Sequence, residues 1–255
     1  PQAVEKLSAF CKSVTVANLA KPDIYAGLFS ALFSGLPFQS GYFFSKKIKK
    51  QILSKIDEIK PDHIFCQLIR VTEYVKDLDI PKTLDYQDVF STGYQRLSTK
   101  SSIFMKPLLR IEANRVDKYE NYIFDKFDTR FIISLPDRDA ISHPEKNKIL
   151  VIPNGVDTEY FKPVDLKKEF DILFTGNMNY KPNVDSVEYL VNNVLPVLKR
   201  KVPVVKVLIA GADPHKRVLK LASDDVTVSG WVEDMRDCYA KSRIFVAPMQ
   251  IGTGL

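Results

Sequence analysis

Long apolar runs are missing from this 255-residue sequence. None approaches the roughly 20 residues that span a bilayer. No basic segment followed by a short apolar one opens the chain, so no signal peptide is read there. The first residue is Pro1, so a leader lost ahead of it is compatible with this reading. Cysteine is scarce: Cys11, Cys66 and Cys238 are far apart, odd in number and without a C-x-x-C pair. That argues against a disulfide framework and a structural zinc site, and reads as cytosolic. The three histidines, His63, His143 and His215, show no ligand spacing and no obvious carboxylate neighbour, so no metal site is expected. No G-x-G-x-x-G or Walker pattern is present, which lowers the odds of a dehydrogenase or an NTPase. Low-complexity tracts and short-period repeats are absent too.

What is present is 45% apolar content arranged as short runs alternating with helical patterns. Strands are expected at 13–19, 63–68, 82–88, 129–134 and 149–152, then at 171–175, 204–210, 226–229 and 243–247. Helices are expected at 23–34, 45–60, 103–127, 183–198, 215–222 and 232–240, with a short one through Tyr74 and Val75. Strands alternating with helices, without hairpin signals, mean parallel sheets with right-handed crossovers. The turn Pro153-Asn154-Gly155-Val156-Asp157 joins two buried apolar runs that cannot form one continuous sheet edge, because Pro153 lacks a donor. It reads as a hinge between two α/β lobes, 1–153 and 154–255. The fold class expected is therefore α/β with two Rossmann-like parallel-sheet lobes.

Net charge is +6, of which +5 falls on residues 1–150 and +1 on the remainder. The surplus suits an anionic partner or serves only solubility. The aromatic run Phe38-Gln39-Ser40-Gly41-Tyr42-Phe43-Phe44 precedes a helix with Ile48, Ile52, Ile56 and Ile59 on one stripe. Lys46, Lys47, Lys49 and Lys50 lie off that stripe. Two readings stand: an anionic membrane surface met by those lysines, or a helix packed on a sheet with its charges solvated.

Candidate chemistry gathers at strand ends. Gly176-Asn177-Met178-Asn179-Tyr180-Lys181-Pro182-Asn183 follows a strand and opens a helix. A glycine permits close approach there, a helix N-terminus offers unpaired N–H groups, and Lys181 adds a mobile charge, enough together to hold a diphosphate. The alternative is an ordinary turn in which Asp185 and Glu188 form a D-x-x-E cap. Trp231 and Val232 end another strand and could wall a base, although a lone Trp is commonly core. Gly252, Thr253 and Gly254 form a further glycine loop after a strand. In the first lobe, Asp85 and Asp88 sit at a strand's C-terminal end, the ligand-facing side of open α/β sheets, unless Asp88 only caps a helix.

Taken in order, these residues resemble a known family. Val151-Ile152-Pro153-Asn154-Gly155-Val156-Asp157 with Phe161-Lys162-Pro163, and Phe174-Thr175-Gly176-Asn177-Met178-Asn179-Tyr180 with Pro182-Asn183-Val184-Asp185, are similar to glycosyltransferase family 4. The bacterial subgroup that builds exopolysaccharides or cell-surface glycans is the nearest in pattern. Leu208-Ile209-Ala210-Gly211-Ala212-Asp213-Pro214, Val228-Ser229-Gly230-Trp231-Val232 and Phe245-Val246-Ala247-Pro248 resemble its later strands. Ser40-Gly41-Tyr42-Phe43 and Leu84-Asp85-Tyr86-Gln87-Asp88-Val89 fit the first lobe more loosely.

The resemblance implies a GT-B architecture with an acceptor-side first domain and a nucleotide-sugar-binding second domain. It implies metal-independent, retaining transfer from a nucleoside-diphosphate sugar to a lipid-linked or polysaccharide acceptor at the inner membrane face. No cofactor and no nucleic-acid partner are expected. By the same resemblance Gly176, Asn177, Met178, Asn179 and Lys181 lie beside the donor diphosphate, Trp231 and Val232 near the base, and Gly252, Thr253 and Gly254 near phosphates and sugar. Asp85 or Asp88 would orient the acceptor hydroxyl. Asn177 stands where many members carry Arg, and Thr253 near where the first of two paired glutamates would be. A first strand with a glycine loop would precede Ser13, so a chain trimmed at both ends is expected. A reading from another class is a non-catalytic nucleotide-binding or assembly module on the same fold.

Overall fold

Four short runs in the first part of the chain pair in parallel, with Cys66, Leu84 and Ile132 turned into the core while Phe65 and Leu150 stay exposed. The computed structural model describes residues 2–249. It divides into two units, one ending at Pro153 and the other beginning at Asn154. The first unit runs α1 (Gln2–Ser8), α2 (Lys21–Ser34), α3 (Phe38–Phe43), α4 (Lys46–Ile59), β1 (Ile64–Gln67), a 3-10 turn (Ile69–Tyr74) and β2 (Lys82–Asp85). It continues through α5 (Phe90–Lys100), α6 (Lys106–Phe124), β3 (Thr129–Ile132), α7 (Leu135–Ala140) and β4 (Leu150–Val151). The sheet order is β1-β2-β3-β4, all parallel.

In the second unit β5 (Phe170–Thr175) is followed by α8 (Lys181–Tyr189), a π turn (Leu190–Val194), α9 (Leu195–Lys199), β6 (Val207–Ala210) and α10 (Lys216–Leu219). The chain then forms β7 (Val226–Gly230), α11 (Met235–Ala240) and β8 (Ser242–Phe245). The order is β7-β6-β5-β8, again parallel. The sheet grows one way from β5 to β7 and then reverses, so β5 and β8 flank a topological switch point, and ligands of open α/β sheets bind outside the strand ends there. The period-2 alternation of strands splits this core in two. Ile172, Phe174, Val207 and Ile209 pack with Val184, Val187, Leu190 and Val218, while Leu173, Leu208 and Ala210 pack with Cys238 of α11.

Three local expectations are corrected. Residues 13–19 form no strand, because no neighbouring strand supplies a ladder to them. The helix expected over 103–127 is α6 alone, opened by Pro107 in its first turn, and α5 precedes it where no helix was expected. The single helix expected over 183–198 is interrupted by the π turn. Pro196 has no N–H to give the carbonyl four residues back, and a wider turn absorbs the misfit. In α4, Ile48 is buried and Ile52 and Ile56 pack on the first core, with Ser45 Oγ accepting from Ile48 N. Its apolar stripe therefore faces protein as far as Ile56, while Ile59 at its end is exposed.

Candidate functional site

The C-terminal edge of the second sheet is held together by main chain. Gly176 N donates to Ala210 O at 3.2 Å, Met178 N to Ala212 O at 2.9 Å, Gly211 N to Gly230 O at 3.0 Å, and His215 N to Met178 O at 3.0 Å. The loops after β5, β6 and β7 thus form one connected layer. Gly211, at φ 150°, lies so close to the loop beneath it that a Cβ would stand 1.7 Å from Gly176 O. No other residue type fits there. Gly230, at φ 69°, turns the chain outward, and Trp231 beyond it is 69% exposed. The core reading of that Trp does not hold.

Within the layer, Asn177 organises its own loop. Its Oδ1 accepts from Asn179 N at 2.9 Å, and its carbonyl accepts from Tyr180 N and from Asn183 Nδ2 at 3.0 Å. Met178 is fully buried and anchors the loop to the core. α8 then starts at Lys181 with Pro182 in its first turn, so its N-terminal amides point toward the loop's side of the sheet.

The structure corrects the D-x-x-E cap. Asp185 and Glu188 sit one turn or more inside α8, and both bind Arg217 of α10: Asp185 Oδ1 to Arg217 Nη2 at 3.1 Å and Glu188 Oε1 to Arg217 Nε at 2.7 Å. Lys181 is exposed, and its Nζ lies 2.5 Å from Asp185 Oδ2. Partial burial pushes the Asp185 carboxyl up, but Lys181 and Arg217 outweigh it and hold the group below its ordinary range. The mobile charge read from sequence therefore has a resident partner. Gly211 and Arg217 were not singled out as site residues from sequence. An Ala-Gly pair closing a fully apolar strand could have flagged Gly211, whereas nothing local links Arg217 to acids about thirty residues away.

Val232 lines a cavity of about 740 Å³ with Thr227, Ser229, Asp234, Asp237 and Cys238. No residue of the Gly176–Lys181 loop takes part in it, and its carboxylates suit no diphosphate. Burial pushes the Cys238 thiol up. Gly252, Thr253 and Gly254 lie outside the described residues; the chain leading to them leaves β8 through Val246 N to Leu173 O and brings Met249 Sδ to 3.3 Å from Ser186 Oγ of α8.

In the first unit Asp85 ends β2 and accepts from Gln87 N at 3.0 Å and Gln87 Nε2 at 2.7 Å. Gln87 adopts φ 62°, and Leu68, at the end of β1, φ 70°. Asp88 is not the N-cap of α5, which is Val89. That helix start is instead held by Glu120 of α6, whose carboxylate accepts from Phe90 N at 2.8 Å, Ser91 N at 3.3 Å and Ser91 Oγ at 2.6 Å. Burial pushes Glu120 up to about 7 despite those donors.

His63 bonds Thr83, His143 lies 3.4 Å from Asp125, and His215 Nδ1 accepts from Arg217 N. No group of three or more metal-ligating side chains comes together among the described residues.

Residues 169–255 match the family model described as "Glycosyl transferases group 1". No curated protein matches the sequence. Among solved structures the chain is similar to TarM, with TM-score 0.59 and 14% identity over 81% of this chain and 41% of that one. A second similar structure is an S. aureus TarM mutant in complex with Fondaparinux, alpha-GlcNAc-glycerol and UDP, with TM-score 0.54, 14% identity and 78% and 39% coverage. OtsA in its apo form gives TM-score 0.55 and 12% identity over 92% of this chain and 66% of that one. The chain thus spans about two fifths of TarM. Its two parallel-sheet sets have the fold of these GT-B glycosyltransferases.

Proposed function

We propose that this chain carries a glycosyltransferase that takes its sugar from a nucleoside-diphosphate donor held by the second unit. One observation carries the reading: the glycine-packed layer joining Gly176 to Gly211 opens onto the N-terminus of α8, at the β5/β8 switch point, within the segment matching the glycosyl transferases group 1 model.

A departing diphosphate needs positive charge where the glycosyl bond breaks. The amides of Gly176, Met178, Asn179, Tyr180, Asn183 and Val184 already donate within the protein, which leaves the amides of Asn177 and Lys181, the dipole of α8 and the Lys181 ammonium to supply it. Lys181 would exchange Asp185 for phosphate, a low-cost step because the ammonium is exposed and Asp185 keeps Arg217 as a partner. Trp231, outward and aromatic, would stack on the base, with Val232 beside it, and Gly252, Thr253 and Gly254 would approach phosphates and sugar. Transfer would retain anomeric configuration without a metal. In the first unit Asp85, fixed by Gln87, or Asp88 would orient the hydroxyl of a lipid-linked or polysaccharide acceptor in surface-glycan synthesis. Contact with an anionic membrane through Lys46, Lys47, Lys49 and Lys50 belongs to the same reading.

Calorimetric titration of UDP and other nucleoside diphosphates tests it. Binding that weakens about tenfold in Lys181→Ala supports the donor site. Absence of binding, or binding indifferent to that substitution, removes it. Nucleotide binding with no sugar transfer to any glycan or lipid-linked acceptor would favour the non-catalytic module.

A further inference from the structure

Several arginines of the first unit spend their guanidinium on the fold. Arg115 and Arg130 donate through Nη to main-chain carbonyls, and Arg138 donates to Asp139. Arg70 does not. It stands half-buried in the 3-10 turn after β1, and its Nε donates to Gln39 Oε1 at 3.1 Å. The guanidinium lies 4.5 Å from the ring centre of Phe90 and 5.5 Å from that of Phe43. Among the described residues no carboxylate pairs with it and no acceptor meets its two Nη groups. A cation fixed by two rings and an amide, with both terminal amines unspent, is prepared for an anion.

The amide beside it is unspent too. Gln39 of α3 is 8% exposed, and its Nε2 has no partner among the described residues. Because Oε1 of that amide sits on Arg70 Nε, Nε2 lies beside the guanidinium. Glu112 of α6 anchors Gln39 from behind, its Oε1 accepting from Gln39 N at 3.3 Å. Ser40 Oγ, next in α3 and fully buried, and Glu112 Oε2 are unpartnered as well. Unpaired buried polar atoms are costly, so a cluster of them marks a place that another molecule completes. The other acids of this edge are engaged. Both oxygens of Asp85 accept from Gln87, and Asp88 is not free.

We propose that Arg70, backed by Gln39, seats an oxyanion carried by the acceptor sugar, a phosphate ester or a uronate carboxylate. The inference deepens the reading of the first unit as the acceptor side and rests on it. The Nη groups take the oxyanion in a planar fork, and Gln39 Nε2 gives it a further hydrogen. The exposed rings of Tyr42 and Phe43, edge-on at 5.0 Å, offer apolar surface to the sugar ring. The seat lies at the sheet edge that carries Asp85: Leu68 N, where the turn of Arg70 begins, donates to Asp85 O at 2.8 Å. Phe90, one of its walls, opens α5 shortly after Asp85. A neutral sugar leaves Arg70 unpaired, so the site selects charge.

The test is saturation-transfer NMR and calorimetry on the whole 255-residue chain with glucose 6-phosphate, glucuronate, glucose and inorganic phosphate, and separately with UDP. At least one of the anionic sugars is expected to bind about tenfold or more tightly than glucose. Arg70→Gln should remove that preference, and Arg70→Lys should keep part of it, because charge survives without the planar fork. Gln39→Leu should weaken the preference about threefold. UDP binding should be unchanged in all three. Preference for glucose 6-phosphate alone supports a phosphorylated acceptor, and for glucuronate alone a uronate one. The proposal is overturned if neither anion outbinds glucose, or if Arg70→Gln melts like the parent and binds the anions as well. It also falls if inorganic phosphate binds as tightly as glucose 6-phosphate. Absence of UDP binding in the parent, with the sugar-anion preference intact, would remove the donor site and leave the Arg70 seat standing.

Discussion

The two sheets present their C-terminal edges by opposite means. In the second unit most of the close turns are glycines, with Asp213 the one non-glycine at positive φ among the described residues there, and the loops bond to each other through main chain at Gly176, Met178, Gly211 and Gly230. In the first unit the corresponding turns are made by Leu68 and Gln87 at positive φ, a strained state for non-glycine residues. Carboxylates hold that edge, Asp85 on Gln87 and Glu120 on the start of α5. A main-chain edge keeps its shape whatever side chains it carries, whereas an edge built from side chains depends on the residues that stand there.

The comparison can be broken most severely at Gly211. Gly211→Ala puts a methyl into the carbonyl of Gly176, and should cost about 3 kcal/mol or more in urea unfolding. Nucleotide binding should be lost with it.

On the other edge, Glu120→Ala strips the acceptor from two amides and a hydroxyl and should cost about 2 kcal/mol. Glu120 also sets a pH dependence. Its folded value of about 7 lies above the ordinary glutamate value of 4.5, so the native state binds more protons than the unfolded chain between those limits. Its contribution is complete below pH 4.5 and is lost as pH rises through 7. Urea midpoints measured across that window should fall with pH in the parent and less steeply in Glu120→Gln; equal slopes would contradict the assignment.

The smallest change sharpens the donor edge. Asp185→Asn frees Lys181 from an exposed pair of about 0.5 kcal/mol. It should tighten nucleoside-diphosphate binding two- to threefold by calorimetry, with little change in melting temperature.

Much of the second sheet is legible in the sequence, because β5 and β6 are apolar runs buried on both faces and Pro182 marks the opening of α8. α5 is not legible: Phe-Ser-Thr-Gly-Tyr-Gln-Arg-Leu-Ser-Thr-Lys is a weak helix former. It is helical because Glu120, about thirty residues on, satisfies its first amides. Residues 13–19 carry a strand's composition without a ladder to join. The Gly176 loop could be picked out as a candidate by its glycine and the helix after it. The sequence did not reveal the neutralising grip of Asp185, because its second holder, Arg217, comes from a separate helix.

Local chemistry determined where strands end, where glycine was indispensable to a turn and which segments lack acid, since these follow from φ preference, periodicity and charge along the chain. Only the tertiary structure decided which apolar stripes are buried and which remain outside. α4 and α2 are both rich in hydrophobic residues, but one found a sheet to cover and the other did not. Burial depends on the partner surface a segment meets, and no segment encodes that alone.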